Sequence, residues 1–180
     1  MKTSKLVNLF LLAFVALLFP HSIKAQDADQ EKLMSESDKA KEEFIKTDPS
    51  MAALFESAHG YVIFPKIGKG GFIVGGSGGP GILYESGKAI GEIKTGQVTV
   101  GAQIGGQTYR EVIFLEDDVA LARMKASKME FSSQISAVAV KSGVSKNAKY
   151  TNGVSVFTQD LGGLMAEATV GGQKFNFTAF

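Results

Sequence analysis

Eight glycines crowd the fourteen residues of "GKGGFIVGGSGGPG", Gly68 to Gly81, and such a run can serve two chemistries. Bare N–H groups cradle phosphate at a helix N-terminus, or glycines serve bends and close backbone approach within strands. Gly76, Gly78 and Gly81 satisfy the spacing G-x-G-x-x-G, but the residues that follow, "ILYESGKAIG", read as an apolar strand entering a turn. A dinucleotide loop must open a helix, so the context excludes it. "GILYESGK" is one residue too long for a Walker loop, and Ala89 stands where Mg²⁺ needs Ser or Thr. Anion binding by consecutive glycine N–H groups stays open, with Lys66 and Lys69 alongside.

Other chemistry-bearing residues are sparse. Beyond the first 25 residues the chain has one histidine, His59, with no local nucleophile or orienting acid, and the whole chain has no cysteine. No catalytic constellation and no metal-ligand set can be written from these. His59 reads as a helix-end residue facing terminal carbonyls, and Asp117 and Asp118 as the acidic start of a helix. No enzymatic role, cofactor or metal is expected. The remaining charged feature is "KSGVSKNAKYTNG", a polar loop with Lys141, Lys146 and Lys149 and no acid.

The elements that must carry these residues begin after an export signal. "MKTSK" precedes the apolar run Leu6 to Phe19, and Ala25 offers a small-residue cleavage edge. Residues 1–25 are thus expected to be removed, leaving Gln26 first in an exported protein, periplasmic or extracellular. With no cysteine it carries no disulfide and is no lipoprotein. Losing Lys2, Lys5 and Lys24 takes the formal net charge from +1 to −2, unlike a general nucleic-acid binder. Residues 26–48 form a charged helix with a narrow stripe of Leu33, Ala40 and Phe44. Asp48 reads as the N-cap of a second helix, with Pro49 at its first position.

From Tyr61 the texture becomes short apolar or alternating runs divided by glycines. "YVIFPKI", "GFIVGGS", "GILYES", "AIGEIKT", "QVTVGAQIGGQTY" and "REVIFLE" are expected as strands, with hairpin turns at Ser86-Gly87 and Thr95-Gly96. In "QVTVGAQIG", alternation puts Val98, Val100, Ala102 and Ile104 on the dry face, and Gln97, Thr99 and Gln103 on the wet one. Gly70 and Gly76 are expected at tight bends with positive φ. A short helix, Glu116 to Lys125, interrupts; "MEFSSQISAVAV", "GVSVFTQ", "GLMAEATV" and "QKFNFTAF" resume the strands, with a Gly171-Gly172 turn. The fold class is α+β: an antiparallel β-barrel or sandwich of short Gly-rich strands with N-terminal helices and one inserted helix.

Three stretches together carry a resemblance: "AHGYVIFPKIGKGGFIVGGSGGPGILYESGKAIG", "VTVGAQIGGQTYREVIFLE" and "GGLMAEATVGGQKFNF". The patterns G-K-G-G-F … G-x-G … Y at Gly68 to Tyr84 and G-x-Q-x-G-G-Q at Gly101 to Gln107 resemble the bacterial, exported branch of the SYLF-domain family. The likeness runs from about Met51 to Phe177, within an expected SYLF-like domain at 49–180. It implies a non-enzymatic lipid-binding module. Eukaryotic relatives bind phosphoinositides and some bundle actin, a partner not expected for an exported bacterial protein. Membrane binding in relatives is associated with a basic amphipathic N-terminal segment, whereas residues 27–48 here carry eight acids against four lysines.

The functional expectation is peripheral binding to an anionic phospholipid surface through Lys66, Lys69, Lys141, Lys146 and Lys149. Each lysine near such a surface contributes about 1 kcal/mol. Two alternatives belong to other classes: a structural or protein-interaction domain of the envelope, and a carrier with an apolar ligand inside the barrel.

Overall fold

The computed structural model describes residues 21–71, 74–100, 106–131, 134–162 and 172–180. The chain divides into two compact units, Met1–Lys32 and Leu33–Phe180. The first is described over residues 21–32, all helical. The expected signal segment before His21 and the strand "GLMAEATV" lie outside the described residues.

Helix α1 spans His21–Thr47 and α2 spans Met51–Ser57. Strands β1 (Gly60–Gly71), β2 (Val74–Glu85), β3 (Lys88–Val100) and β4 (Gly106–Leu115) follow, then α3 (Asp118–Lys125), β5 (Ala137–Ala139), a 3-10 turn at Val144–Asn147, β6 (Val154–Gly162) and β7 (Lys174–Ala179). The strands form one sheet in the order β5-β6-β4-β1-β2-β3-β7. The α+β class holds, but this order has two ends and does not close on itself. The sheet is also mixed, because β5 runs parallel to β6.

Four long strands replace the six short runs read between Tyr61 and Glu116. The glycines mislead here: most lie inside strands. Ser86 and Gly87 do turn, both at positive φ (48° and 77°), whereas Thr95 and Gly96 pair in mid-strand with Gly79 and Gly78. Gly70 and Gly76 also pair with each other in the ladder. A Cβ at Gly70 would meet nothing within 4 Å, and one at Gly76 only the Gln97 carbonyl at 3.5 Å, so neither is a strained bend. Close approach requires glycine at Gly78, Gly79 and Gly91, and equally at Gly81. A Cβ there would stand 2.5 Å from the Ile63 carbonyl and 2.6 Å from the Phe64 ring, distances that force β1 and β2 apart.

Both faces of the sheet are buried at its Gly60 end. On one face Val62, Leu83, Ile113 and Leu115 pack with Leu121 and Met124 of α3. On the other Tyr61, Ile63, Ile82 and Phe114 pack beneath Leu33, Ala40 and Phe44 of α1 and Phe55 of α2. The stripe 33–37–40–44 follows from helical spacing, and burying a Leu or Phe contributes about 1.5–3 kcal/mol. Polar pins fix this layer. Tyr84 donates to Asp38 at 3.2 Å, Lys41 donates to Tyr61 at 3.1 Å, and Gln159 donates to Thr47 at 2.8 Å. The Lys41 ammonium also lies 4.9 Å from the Phe55 ring centroid, within cation–π range.

Candidate functional site

The basic loop is built on a buried acid from another element. Asp48, at the corner between α1 and α2, is 1% exposed. It accepts from the backbone N–H of Ser50 (3.1 Å), Gly143 (3.0 Å) and Ser145 (2.8 Å) and from the Ser50 hydroxyl. Burial pushes its carboxyl up, but these hydrogen bonds outweigh it and hold the group well below the usual carboxylate range. Gly143 is left-handed (φ 77°), which turns its N–H and that of Ser145 toward the same carboxylate. The expected N-cap role is thereby corrected: Ser50 occupies the cap position of α2, and Asp48 clasps the loop.

This clasp sets the shape of residues 141–151. Lys141, Lys146 and Lys149 are all exposed, and none forms an ion pair with a described residue. Between this loop, β5 and β6 lies a cleft of about 440 Å³. Ile135, Val138, Val144, Val156 and Phe157 give it apolar walls, Gln134, Asn147 and Thr151 add polar ones, and Lys149 is its one cationic residue among the described residues. The volume lies within the range of small-ligand sites, about 300–1,000 Å³.

The other two expected lysines sit on β1, with β4 and β6 between them and the loop in strand order. Lys66 is exposed, next to the irregularity between Phe64 and Ile67. Lys69 is half-buried and pairs with Ser77 on one side and Gln107 on the other; Ser77 pairs in turn with Gln97. The topology thus separates the five lysines into two sets.

Lys69 belongs to a polar row with Ser77 and Gln97, the last of which was expected on the wet face. Gln97 is 6% exposed and accepts from the Ser77 hydroxyl at 3.0 Å, while Val98 is 77% exposed. At Gln97 and Val98 the expected dry and wet faces are reversed; the side chains of Thr99, Val100, Ala102, Gln103 and Ile104 lie outside the described residues. At the glycine-rich end the covered face is lined by polar groups, including Thr95, Tyr109, Glu111 and Gln173. Glu111 is fully buried; its Oε2 accepts from the Gln173 amide at 3.4 Å. Its Oε1, the Gln173 Oε1 and the Thr95 hydroxyl have no hydrogen-bond partner among the described residues. Burial pushes the Glu111 carboxyl up to about 8 despite Gln173, so the group is mostly protonated at neutral pH. The signal was present in "YREVIFL": alternation puts Glu111 on the face of Ile113 and Leu115.

The remaining expectations resolve as structure. His59 Nε2 lies 2.7 Å from the Asp118 carboxylate instead of facing helix carbonyls. Asp117 caps α3 by accepting from the Ala120 N–H at 2.8 Å. Among the described residues, no three His, Asp or Glu side chains gather in metal-binding geometry. The glycine run forms the facing arms of β1 and β2, not a loop opening a helix.

Fold and site together describe an α+β protein with a buried clasp, a lysine loop and an apolar cleft. No family model matches the chain. It is 28% identical over 135 residues to Beta cell expansion factor A of Aeromonas veronii, an alignment covering 71% of this chain and 49% of that protein. The chain therefore spans about half the length of that curated relative.

Proposed function

We propose that this protein is a non-enzymatic lipid-binding module of the SYLF type, exported to the periplasm or outside the cell. It acts peripherally on anionic phospholipid surfaces of the envelope. One observation carries the reading: three exposed lysines without ion-pair partners among the described residues stand on a loop held by a buried carboxylate, beside a largely apolar cleft. A negatively charged headgroup matches the lysines, and apolar substituents match the cleft. The carrier alternative with a ligand inside the sheet has less support, because Phe64, Ile93, Ile113 and Phe175 fill that space with packed side chains.

We also read the sheet as curled toward a barrel. Glu111 of β4 bonds to Gln173 just before β7, although β1, β2 and β3 stand between these strands. The segment between α3 and the 3-10 turn touches both ends of the sheet. Phe131 exchanges backbone hydrogen bonds with Gln173 and Gly172, and Ala137–Ala139 pairs with β6.

Flotation of residues 26–180 with liposomes tests the functional reading. Co-flotation should rise with anionic lipid content and fade between low and physiological salt, because exposed charges are screened over about 8 Å at physiological ionic strength. Equal recovery with neutral and anionic vesicles would remove the electrostatic basis of the proposal.

A further inference from the structure

The cleft beside the lysine loop is more than a charged surface needs. Adsorption to a bilayer requires only exposed lysines, and Lys141 and Lys146 supply that without a cavity. Yet the loop stands away from β5 and β6 enough to leave about 440 Å³ between them. The clasp on Asp48 keeps it there. Gly143 and Ser145 are tied to the α1–α2 corner by hydrogen bonds of 3.0 and 2.8 Å, and Ser145 and Ser50 share a further hydroxyl contact at 2.7 Å.

The walls are more apolar than polar, with Gln134, Ser136, Asn147, Thr151 and Ser155 among the apolar side chains. Val144 and Ala148 of the loop are half-buried and line the cleft, whereas Ile135, Val156 and Phe157 back it from the cores, where they are buried. Val138, on the short edge strand β5, remains 40% exposed. Apolar lining left open in this way favours hydrocarbon over water. Lys149 on the same lining adds a charge that hydrocarbon alone does not need. Exposed Lys146, on the 3-10 turn, stands three residues before it.

We propose that this cleft takes the acyl chain of a single-chain anionic amphiphile, with the headgroup held by Lys149 and its loop neighbours. The inference rests on the lipid reading above and narrows it, from adsorption on a surface to capture of one monomeric lipid. The apolar walls bury the chain, the lysine charge complements the headgroup, and the pre-set loop lowers the ordering cost of binding. The interior of the sheet is not required, since its side chains are already packed together.

A fluorescent dansyl-labelled fatty acid, used below its micelle concentration, tests this directly. Residues 26–180 should bind it saturably at one equivalent, and unlabelled oleate should displace it. Ala148→Phe and Val138→Phe should each fill the cleft and weaken fatty-acid binding about tenfold or more. Val138 is partly exposed, so its substitution keeps the test alive if Ala148→Phe does not fold; circular dichroism and the thermal midpoint report folding. Both variants should still float with anionic liposomes, because their lysines are intact. Three results overturn the proposal. If the wild type floats with liposomes but does not bind the fatty acid, the chain site falls and the surface reading stands. If it does neither, both fall. If it binds the fatty acid and two folded, filled variants bind equally well, the ligand sits elsewhere.

Discussion

Two buried carboxyls show how differently the same group behaves at the scale of single residues. Asp48 is ionised because three backbone N–H groups and a hydroxyl converge on it. Glu111, equally buried, has among the described residues one side-chain donor and an oxygen with none, and its ordinary value of 4.5 rises to about 8. Such a group holds its proton more tightly in the folded chain than in the unfolded one. Its contribution is therefore fully present below about pH 4.5 and is lost as pH rises toward about 8. Glu111→Gln removes that dependence. The thermal midpoint of the variant relative to wild type should be more favourable at pH 8 than at pH 5, each pH unit of the window being worth up to about 1.4 kcal/mol. Thermal melts of both proteins across this range provide the check; a difference that is flat with pH would mean that Glu111 titrates normally.

At the scale of elements, the helices were legible and most described strands were legible in place but not in length, while within "MEFSSQISAVAV" the described strand is only Ala137–Ala139. Leu33, Ala40 and Phe44 recur at helical spacing, and all three are buried. Ser86-Gly87 turns because both residues take positive φ. Gly68 to Gly81 misled for a physical reason: as at Gly78, Gly79 and Gly81, glycine admits close approach inside a strand as readily as it makes a turn. The reversal of Gln97 and Val98 has a related cause, since alternation reveals two faces but not which is covered when the covered end is polar. The distinction between glycines is testable. Gly81→Ala should destabilise the fold by about 1–3 kcal/mol through overpacking against Ile63 and Phe64. Gly70→Ala, with open space around its added carbon, should leave the thermal midpoint unchanged or raise it slightly. Equal losses in both would show that space around the glycine does not decide the outcome.

For the whole molecule, the expected site was visible as composition but not as architecture. A run of lysines without acids marked 141–149, yet nothing in the sequence tied that loop to Asp48, nearly a hundred residues earlier. The cleft was likewise invisible, since its lining is drawn from residues 134–157 and depends on how β5 pairs with β6. Lys66 and Lys69 looked equivalent to the loop lysines; the strand order sets them apart, and Lys69 joins the polar row of Ser77 and Gln97. With residues 26–180 net negative, attraction to an anionic surface has to come from a segregated patch. Under the proposed function, the loop supplies that patch. The most direct measurement is liposome flotation of wild type against a variant with Lys141, Lys146 and Lys149 all changed to Gln. The account predicts up to ~100-fold weaker partitioning of the variant, with an unchanged melting curve, because all three side chains are exposed. Equal flotation of the two proteins would contradict it.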